Sequence, residues 1–353
     1  MLLINKTPLS AFGLLLVLTA CGGGGSGSVT GETVPAPIFG TFRAADVVIG
    51  QANFVSGNAN QGGPAAANTF SGPYGNAGIS DGVLYLGDYG NNRLLGFNTI
   101  PTVHNTPADF VLGQPDFMTT TRGASATKFS RVETPTFDNG KMFLDSYGNS
   151  RILIWNSIPT SGAPADVVLG APDLDTAGSE LCNSTGLNTP EGQWAVGGKL
   201  IVTDSSNNRV LIWNTIPSMV NTAADIVLGQ QDFDHCAEND TNNDGLTDAP
   251  SAQTLNYPAG VWSDGTKLVV LDNANNRALI WNTFPTSNFA AADAVLGQSD
   301  FTHSARNDDD QDGTPDAAPS ARTLFNPTGV YQAGNQLIVT DEKNHRYLVY
   351  NGS

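Results

Sequence analysis

Two acidic segments contain the side chains whose spacing is best suited to metal chemistry. "DTNNDGLTD" begins at Asp240 and "DDDQDGTPD" begins at Asp308, and both fit the pattern D-x-[DN]-x-D-G-x-x-D. Side-chain oxygens at positions 1, 3, 5 and 9, with the backbone carbonyl of position 7, can surround a Ca²⁺ ion, while the glycine permits a tight turn. The pattern predicts two structural Ca²⁺ sites. Their ligands are Asp240, Asn242, Asp244, Leu246 and Asp248 in the first, and Asp308, Asp310, Asp312, Thr314 and Asp316 in the second.

The spacing resembles the acidic loops of thrombospondin type 3 repeats more than an EF-hand. Position 12 is Ser251 or Pro319 instead of a bidentate Glu, and no flanking helix is expected. A water or a neighbouring loop must then supply a ligand, which predicts weak binding, on the order of 10⁻⁴ to 10⁻³ M. The alternative is a solvated acidic loop that holds no ion.

The cysteines and histidines suggest two further links between loops. Once Cys21 is set aside, Cys182 and Cys236 remain, and an even number in an exported protein predicts a disulfide. Two free thiols are the alternative. His235 and His303 occupy equivalent places in the chain. They could ligate zinc between neighbouring units, but no third nitrogen or sulfur ligand is evident, which disfavours that interpretation.

Two repeated phrases predict the elements that must position these side chains. The first is "ADVVIG" at 45–50, with related copies beginning at Ala108, Ala165, Ala224 and Ala292. The second is typified by "NNRVLIWN" at 207–214 and also occurs five times. Within 258–297 the chain shows four short apolar strands separated by polar turns, with no helical period. Such units repeated around an axis are typical of β-propeller blades.

The chain ends predict how the ring closes. The first repeated segment, at 45–50, has the sequence of a fourth strand with no blade before it. The last, at 346–351, has the sequence of a third strand with no fourth strand after it. Pairing these two segments would complete the last blade and leave no exposed sheet edge. The sequence therefore predicts an all-β, five-bladed propeller of four-stranded blades over 41–353, closed by residues 45–50 against the C-terminal blade.

The units resemble the NHL-repeat family, whose pattern runs from a Pro-x-Gly strand, through a Gly turn and a strand ending in Asp, to Asn-x-Arg and an apolar strand. The resemblance covers nearly all of 41–353, although these units are longer than is usual for the family. The matching residues of one unit are Pro258, Gly260, Gly265, Asp272, Asn275 and Arg277.

An Asp recurs five residues before an Arg in four units, as in Asp204 and Arg209. Because a catalytic group is needed once, the recurrence predicts a structural ion pair. In the second unit, "LDSYGNSR" is one residue longer from its Asp to its Arg, which leaves that pairing open.

The N-terminus resembles a bacterial lipoprotein signal. An apolar run follows Lys6 and ends at "LTAC", where Cys21 would carry the lipid and become the mature N-terminus. The alternative is a plain secretory signal. This resemblance implies a signal peptide at 1–20 and a Gly/Ser-rich tether at 21–40. Gly22 after the lipidated Cys implies the outer membrane, so the predicted localisation is an outer-membrane lipoprotein, facing the periplasm or the outside.

Charge excludes one class of partner. The chain has 16 Lys and Arg against 33 Asp and Glu, a formal net charge of −17, which repels phosphate backbones and disfavours nucleic-acid binding.

Two classes of function remain. The first is a lipid-anchored, calcium-stabilised binding module for a protein or a glycan, with Trp194, Trp262 and Tyr331 on the innermost strands as possible ligand-facing aromatics. Core packing is the alternative role of these rings. The second is a propeller hydrolase or lyase, such as a glycosidase or lactonase, with paired carboxylates at the tunnel mouth. Candidate acids outside the repeat are Glu133, Asp138, Asp175, Glu180 and Glu191.

Overall fold

The computed structural model describes residues 43–352, and the structural statements below concern these residues. The chain divides into two units, Met1–Ala44 and Ala45–Ser353, and every described strand belongs to the second. The predicted signal peptide (1–20), the tether (21–40) and Cys21 lie outside the described residues.

Five antiparallel sheets, here called blades 1 to 5, follow one another along the chain. Blade 1 contains β1 (Gly78–Ser80), β2 (Val83–Asp88), β3 (Arg93–Phe97) and β4 (Phe110–Leu112). Blade 2 contains β5 (Thr136–Asp138), β6 (Lys141–Ser146), β7 (Arg151–Trp155) and β8 (Val167–Leu169). Blade 3 contains β9 (Pro190–Val196), β10 (Lys199–Asp204), β11 (Arg209–Trp213) and β12 (Ile226–Leu228). Blade 4 contains β13 (Pro258–Ser263), β14 (Leu268–Asp272), β15 (Arg277–Trp281) and β16 (Ala294–Leu296). Blade 5 contains β17 (Pro327–Ala333), β18 (Gln336–Asp341) and β19 (Arg346–Asn351).

The five-bladed propeller is therefore confirmed. The first strands of consecutive blades lie side by side, with β5 against β9, β9 against β13 and β13 against β17. Helical structure is limited to short 3-10 turns, which recur between the second and third strands. Each of these recurrent turns ends on a residue in the left-handed region, such as Asn208 at φ 53°, a conformation that Asn tolerates better than most residues.

Apolar side chains of neighbouring blades form the core. Trp155 on β7 and Trp213 on β11 are almost completely buried, and Trp155 packs edge-on against Phe129 with ring centroids 5.9 Å apart. The recurring third-strand aromatics therefore pack between blades, as predicted.

The recurring Asp–Arg element is a structural ion pair. Arg209 Nε donates to Asp204 Oδ2 at 2.7 Å, and both side chains are fully buried. The Arg209 guanidinium also donates to backbone carbonyls of the flanking loops, at Phe233 and Asn183. One arginine thus joins the third strand to the loops before and after its blade. Equivalent pairs are Asp88–Arg93, Asp272–Arg277 and Asp341–Arg346.

The predicted closure is wrong. Among the described residues, 45–50 form no strand, and blade 5 has three strands with β19 as an unpaired edge. The Val48 carbonyl instead accepts a hydrogen bond from Asn105 N of blade 1 at 2.9 Å. Val168 and Val227, in fourth strands, accept equivalent bonds from the following blade. The segment thus keeps a fourth strand's hydrogen bond to the next blade, and it forms no ladder with β19 among the described residues.

The predicted disulfide is confirmed. Cys182 and Cys236 are joined with a Cα–Cα distance of 6.1 Å. It links the loop that follows blade 2 to the loop that follows blade 3. The bond restrains two long segments whose polar composition leaves little apolar surface to bury.

Candidate functional site at the tunnel mouth

The first strands surround a central cavity of about 360 Å³ to which all five blades contribute lining residues. Four carboxylic acids line it, and none of its described lining residues is Lys, Arg or His. The acids come from the loop before β5, from β6, from β9 and from the turn after β18, and they are Glu133, Asp145, Glu191 and Glu342. We call this region the tunnel mouth.

Asp145 reaches the cavity because blade 2 departs from the repeat. In blade 2 the residue paired across from the arginine is Ser146, where the other blades have Asp. Adjacent strand residues point to opposite faces of the sheet, so moving the Asp by one position turns its carboxylate away from Arg151. The corresponding residues of the other blades are uncharged, namely Gly87, Thr203, Leu271 and Thr340.

Because of the one-residue shift, Asp145 and Arg151 do not pair with each other, and both have shifted pKa values. Asp145 is 1% exposed, and neither carboxylate oxygen accepts a hydrogen bond of normal geometry, although the Glu133 backbone and the Gln193 amide lie close by. Burial raises the pKa of Asp145 well above its usual range, and the nearby charge of Glu191 adds to the rise. Arg151 Nε is likewise unpartnered, and burial lowers the pKa of Arg151 to about 10.

Ser146 takes over part of the missing carboxylate's role. Ser130 N donates to Ser146 Oγ at 3.1 Å, where Ser71 N donates to Asp88 Oδ1 in blade 1. The two terminal nitrogens of Arg151 still donate to four backbone carbonyls. Blade 2 thus keeps the hydrogen bonds to its flanking loops, while the Asp145 carboxylate lines the tunnel.

Glu133 and Glu191 complete the acidic group. Burial, followed by the charges of Asp145 and Glu191, raises the pKa of Glu133. Burial also raises the pKa of Glu191, while a hydrogen bond donated by Tyr257 Oη at 2.8 Å opposes the rise. The three groups therefore repel one another when ionised, and protons or a positively charged ligand relieve that repulsion.

A row of tyrosine rings lies beside these acids. Tyr74, which lines the cavity, is 5.7 Å from Tyr89 between ring centroids, and Tyr89 is 6.4 Å from Tyr147. The Arg131 guanidinium lies 5.7 Å from the Tyr89 centroid, so its charge is engaged there. Burial and the neighbouring glutamates raise the pKa of Tyr74 to about 12, and its hydroxyl is protonated at neutral pH. The mouth therefore presents hydroxyl donors and aromatic faces next to oxygen acceptors.

The predicted innermost aromatics divide between cavity and core. Trp194 and Tyr331, together with Ile79 and Phe137, line a second cavity of about 470 Å³. The ring centroids of Trp194 and Tyr331 are 6.2 Å apart. Trp262 is buried at 6% exposure and packs in the core between blades 4 and 5. Trp262 thus takes the alternative role of core packing, because its side chain is enclosed by the neighbouring blade.

The second acidic loop brings three predicted ligands together. Oxygen atoms of Asp308, Asp310 and Asp316 lie within 4.8 Å of one another, a spacing that could hold a metal ion. In both loops the first Asp accepts a hydrogen bond from the glycine N–H at 2.9 Å, Gly245 to Asp240 and Gly313 to Asp308. The two loops therefore fold around their first carboxylate in the same way.

The remaining candidate acids do not reach the tunnel mouth. Asp138 accepts a hydrogen bond from Gly198 N at 2.8 Å and joins the β5–β6 turn to blade 3, while Asp175 and Glu180 are exposed. His235 and His303 each contact an Asp three residues earlier, at 2.6 and 2.8 Å. Within 43–352, neither histidine belongs to a group of three metal-ligating side chains.

Comparisons with known proteins give no family. No family model and no curated protein matches the chain. Among solved structures, it is similar to one from a nidogen/laminin complex, with 16% identity over 79% of this chain and 74% of that chain and a TM-score of 0.39. It is also similar to virginiamycin B lyase from Staphylococcus aureus, with 16% identity, coverage of 81% and 86%, and a TM-score of 0.38. A streptogramin B lyase structure shows 13% identity, coverage of 82% and 70%, and a TM-score of 0.38. The resemblance to the NHL-repeat family stays a prediction.

No helix across 43–352 is both long enough and apolar enough to cross a bilayer.

Proposed function

We propose that this chain is a cell-envelope binding propeller whose tunnel mouth takes the end of a glycan. The observation that carries the proposal is the concave site itself, in which four acids and the ring of Tyr74 surround about 360 Å³. That volume lies within the range of small-molecule sites, about 300–1,000 Å³, and admits a sugar unit more readily than a protein surface. Carboxyl and phenol oxygens suit sugar hydroxyls, and an aromatic face suits the apolar side of a sugar ring.

A glycan array probed with the purified chain tests this proposal. Tyr74→Ala removes an exposed ring from the mouth, and Met219→Ala removes a comparably exposed side chain elsewhere. We expect Tyr74→Ala to weaken binding of the glycans that the wild type retains, while Met219→Ala leaves it unchanged. Equal binding by all three proteins, or retention only of a protein partner, contradicts the proposal.

Anchoring and metal binding support the same role. The lipobox-like "LTAC" segment supports lipidation of Cys21 and attachment to the outer membrane. The shared loop geometry and the spacing of Asp308, Asp310 and Asp316 support one structural Ca²⁺ in each acidic loop. Incorporation of a fatty-acid label by the wild type, and not by Cys21→Ala, is the expected result for the anchor.

An enzyme is the second candidate, and one observation favours it. Glu133, Asp145 and Glu191 line one open cavity and interact electrostatically, and acid–base hydrolysis uses such a group of neighbouring carboxyls. A raised pKa keeps Glu133 protonated at neutral pH, as a general acid requires. Turnover of a chromogenic glycoside or lactone that Glu133→Gln abolishes would establish this candidate. Stable binding of an uncleaved glycan would exclude it for that ligand.

A further inference from the structure

Asp145 is the most deeply buried acid at the tunnel mouth, and the scaffold gives neither of its oxygens a hydrogen bond of normal geometry, although the Gln193 amide lies close by. The Asp145 carboxylate is 1% exposed and lines the cavity. A buried carboxylate without donors is costly, so a ligand that supplies donors and positive charge gains from meeting it. The same segment in the other blades shows that the fold can satisfy such an Asp, as it does with Asp204.

The geometry favours an organic cation over a bare metal ion. Asp308, Asp310 and Asp316 show how closely three carboxylates approach when they can share one ion, and Glu133, Asp145 and Glu191 form no such group within the described residues. They instead lie on the adjacent blades 2 and 3 and line a cavity large enough for a small organic group. An ammonium group offers three N–H donors that can be shared among separated acceptors.

The surroundings have the matching charge. No described lining residue carries a positive side chain, although Glu342, the fourth carboxylate of the cavity, is paired with Lys343 at 2.7 Å. The net charge of −17 attracts cations from a distance. The Tyr74 ring adds an aromatic face on which an ammonium can rest.

We propose that the tunnel mouth recognises a primary ammonium group, which donates hydrogen bonds to the Asp145 carboxylate and lies between Glu133 and Glu191. This inference deepens the proposed function and rests on it, because it specifies an amino sugar as the ligand class. Lysine side chains and polyamines carry the same group, so the experiment must distinguish these sources.

Proton linkage provides a specific signature. Burial and mutual repulsion raise the pKa values of Glu133 and Asp145, so both hold protons in the empty tunnel. An ammonium favours the ionised carboxylates, and its binding therefore releases protons. A ligand that meets only neutral groups releases none.

The test is calorimetric titration of the purified full chain, in two buffers of different ionisation enthalpy, with a short oligomer of β-1,4-linked glucosamine. The N-acetylated oligomer is the matched neutral ligand. We expect the amine to bind about tenfold or more tightly than its acetylated counterpart, with proton release, and Asp145→Asn to remove this preference. Asp138→Asn, a carboxylate of the same blade outside the tunnel, should leave it unchanged.

The outcomes separate the two proposals. If spermidine or an Nα-acetyl-lysine amide binds with dependence on Asp145 while the glucosamine oligomer does not, the ammonium inference holds and the glycan proposal fails. If both oligomers bind equally, without proton release and regardless of Asp145, the glycan proposal holds and the ammonium inference fails. Glu191→Gln serves as the second variant should Asp145→Asn not fold, and an unchanged amine preference in the folded variant overturns the inference.

Discussion

Replacing Asp145 by Asn should stabilise the ligand-free protein, while the same substitution at Asp204 should destabilise it. Asp145 is buried without an ion pair or a hydrogen bond of normal geometry, whereas Asp204 is buried and paired with Arg209 at 2.7 Å. Breaking a buried ion pair by removing one charge costs about 3–5 kcal/mol. Asp145 instead takes up a proton on folding because burial raises its pKa, and Asp145→Asn removes that cost, which grows with pH.

The sign of the pH dependence follows from the direction of the pKa shift. The pKa of Asp145 is raised in the folded state, so its contribution to stability is full below the ordinary pKa and is lost as pH rises towards the folded value. The wild type should therefore lose about 1.4 kcal/mol per pH unit relative to Asp145→Asn in that window. At about pH 3, where the wild-type group is largely protonated in both states, the two proteins should differ little.

Urea unfolding of the wild type and both variants from acidic to mildly alkaline pH, in EDTA, measures these differences. The reasoning is refuted if Asp145→Asn is as destabilising as Asp204→Asn. It is equally refuted if the difference between Asp145→Asn and the wild type does not change with pH.

Three further outcomes follow from the same contacts. Ser146→Asp restores a carboxylate opposite the unpartnered Nε of Arg151. It should raise the free energy of unfolding, measured by urea titration, by about 1.5–3 kcal/mol. An unchanged free energy would contradict this expectation. Millimolar Ca²⁺ should raise the melting temperature above that in EDTA, and Asp308→Asn should reduce the increase. An identical melting temperature in both solutions would show that the acidic loops hold no ion. Replacing Cys182 and Cys236 together by Ser removes a disulfide between residues 54 positions apart in the chain. The free energy of unfolding should fall by about 2–4 kcal/mol. An unchanged value would mean that other contacts hold the two loops.

The sequence predicts the repeated scaffold well because each repeat is specified by residues that are close together in the chain. Strand periodicity, the turn residues and the five-residue spacing from Asp204 to Arg209 are each read within one unit, and the structure confirms them. The disulfide follows from the even number of cysteines that remains once Cys21 is set aside, and the structure confirms it.

The closure could not be settled in the same way, since it depends on contacts between distant segments. "ADVVIG" has the sequence of a fourth strand, and Val48 makes a fourth strand's contact with blade 1. That pattern does not determine whether β19 lies close enough to pair with it. Trp262 and Trp194 likewise share a repeat position, but only the packing of the next blade decides which ring is enclosed.

Asp145 is the functional candidate that sequence reasoning missed. In the sequence it reads as an irregular member of the ion-pair series, and that irregularity is itself the available signal. A shift of one residue in a strand turns a side chain to the other face, so "LDSYGNSR" places the carboxylate in the tunnel and Ser146 opposite Arg151.

The most direct test of the account is a crystal structure of the chain soaked with the glucosamine oligomer. The account predicts a sugar unit in the tunnel mouth, with its amino nitrogen about 2.7–3.0 Å from a carboxylate oxygen of Asp145. An oligomer bound on the outer loops or at the β19 edge, with the tunnel free of sugar, would contradict it.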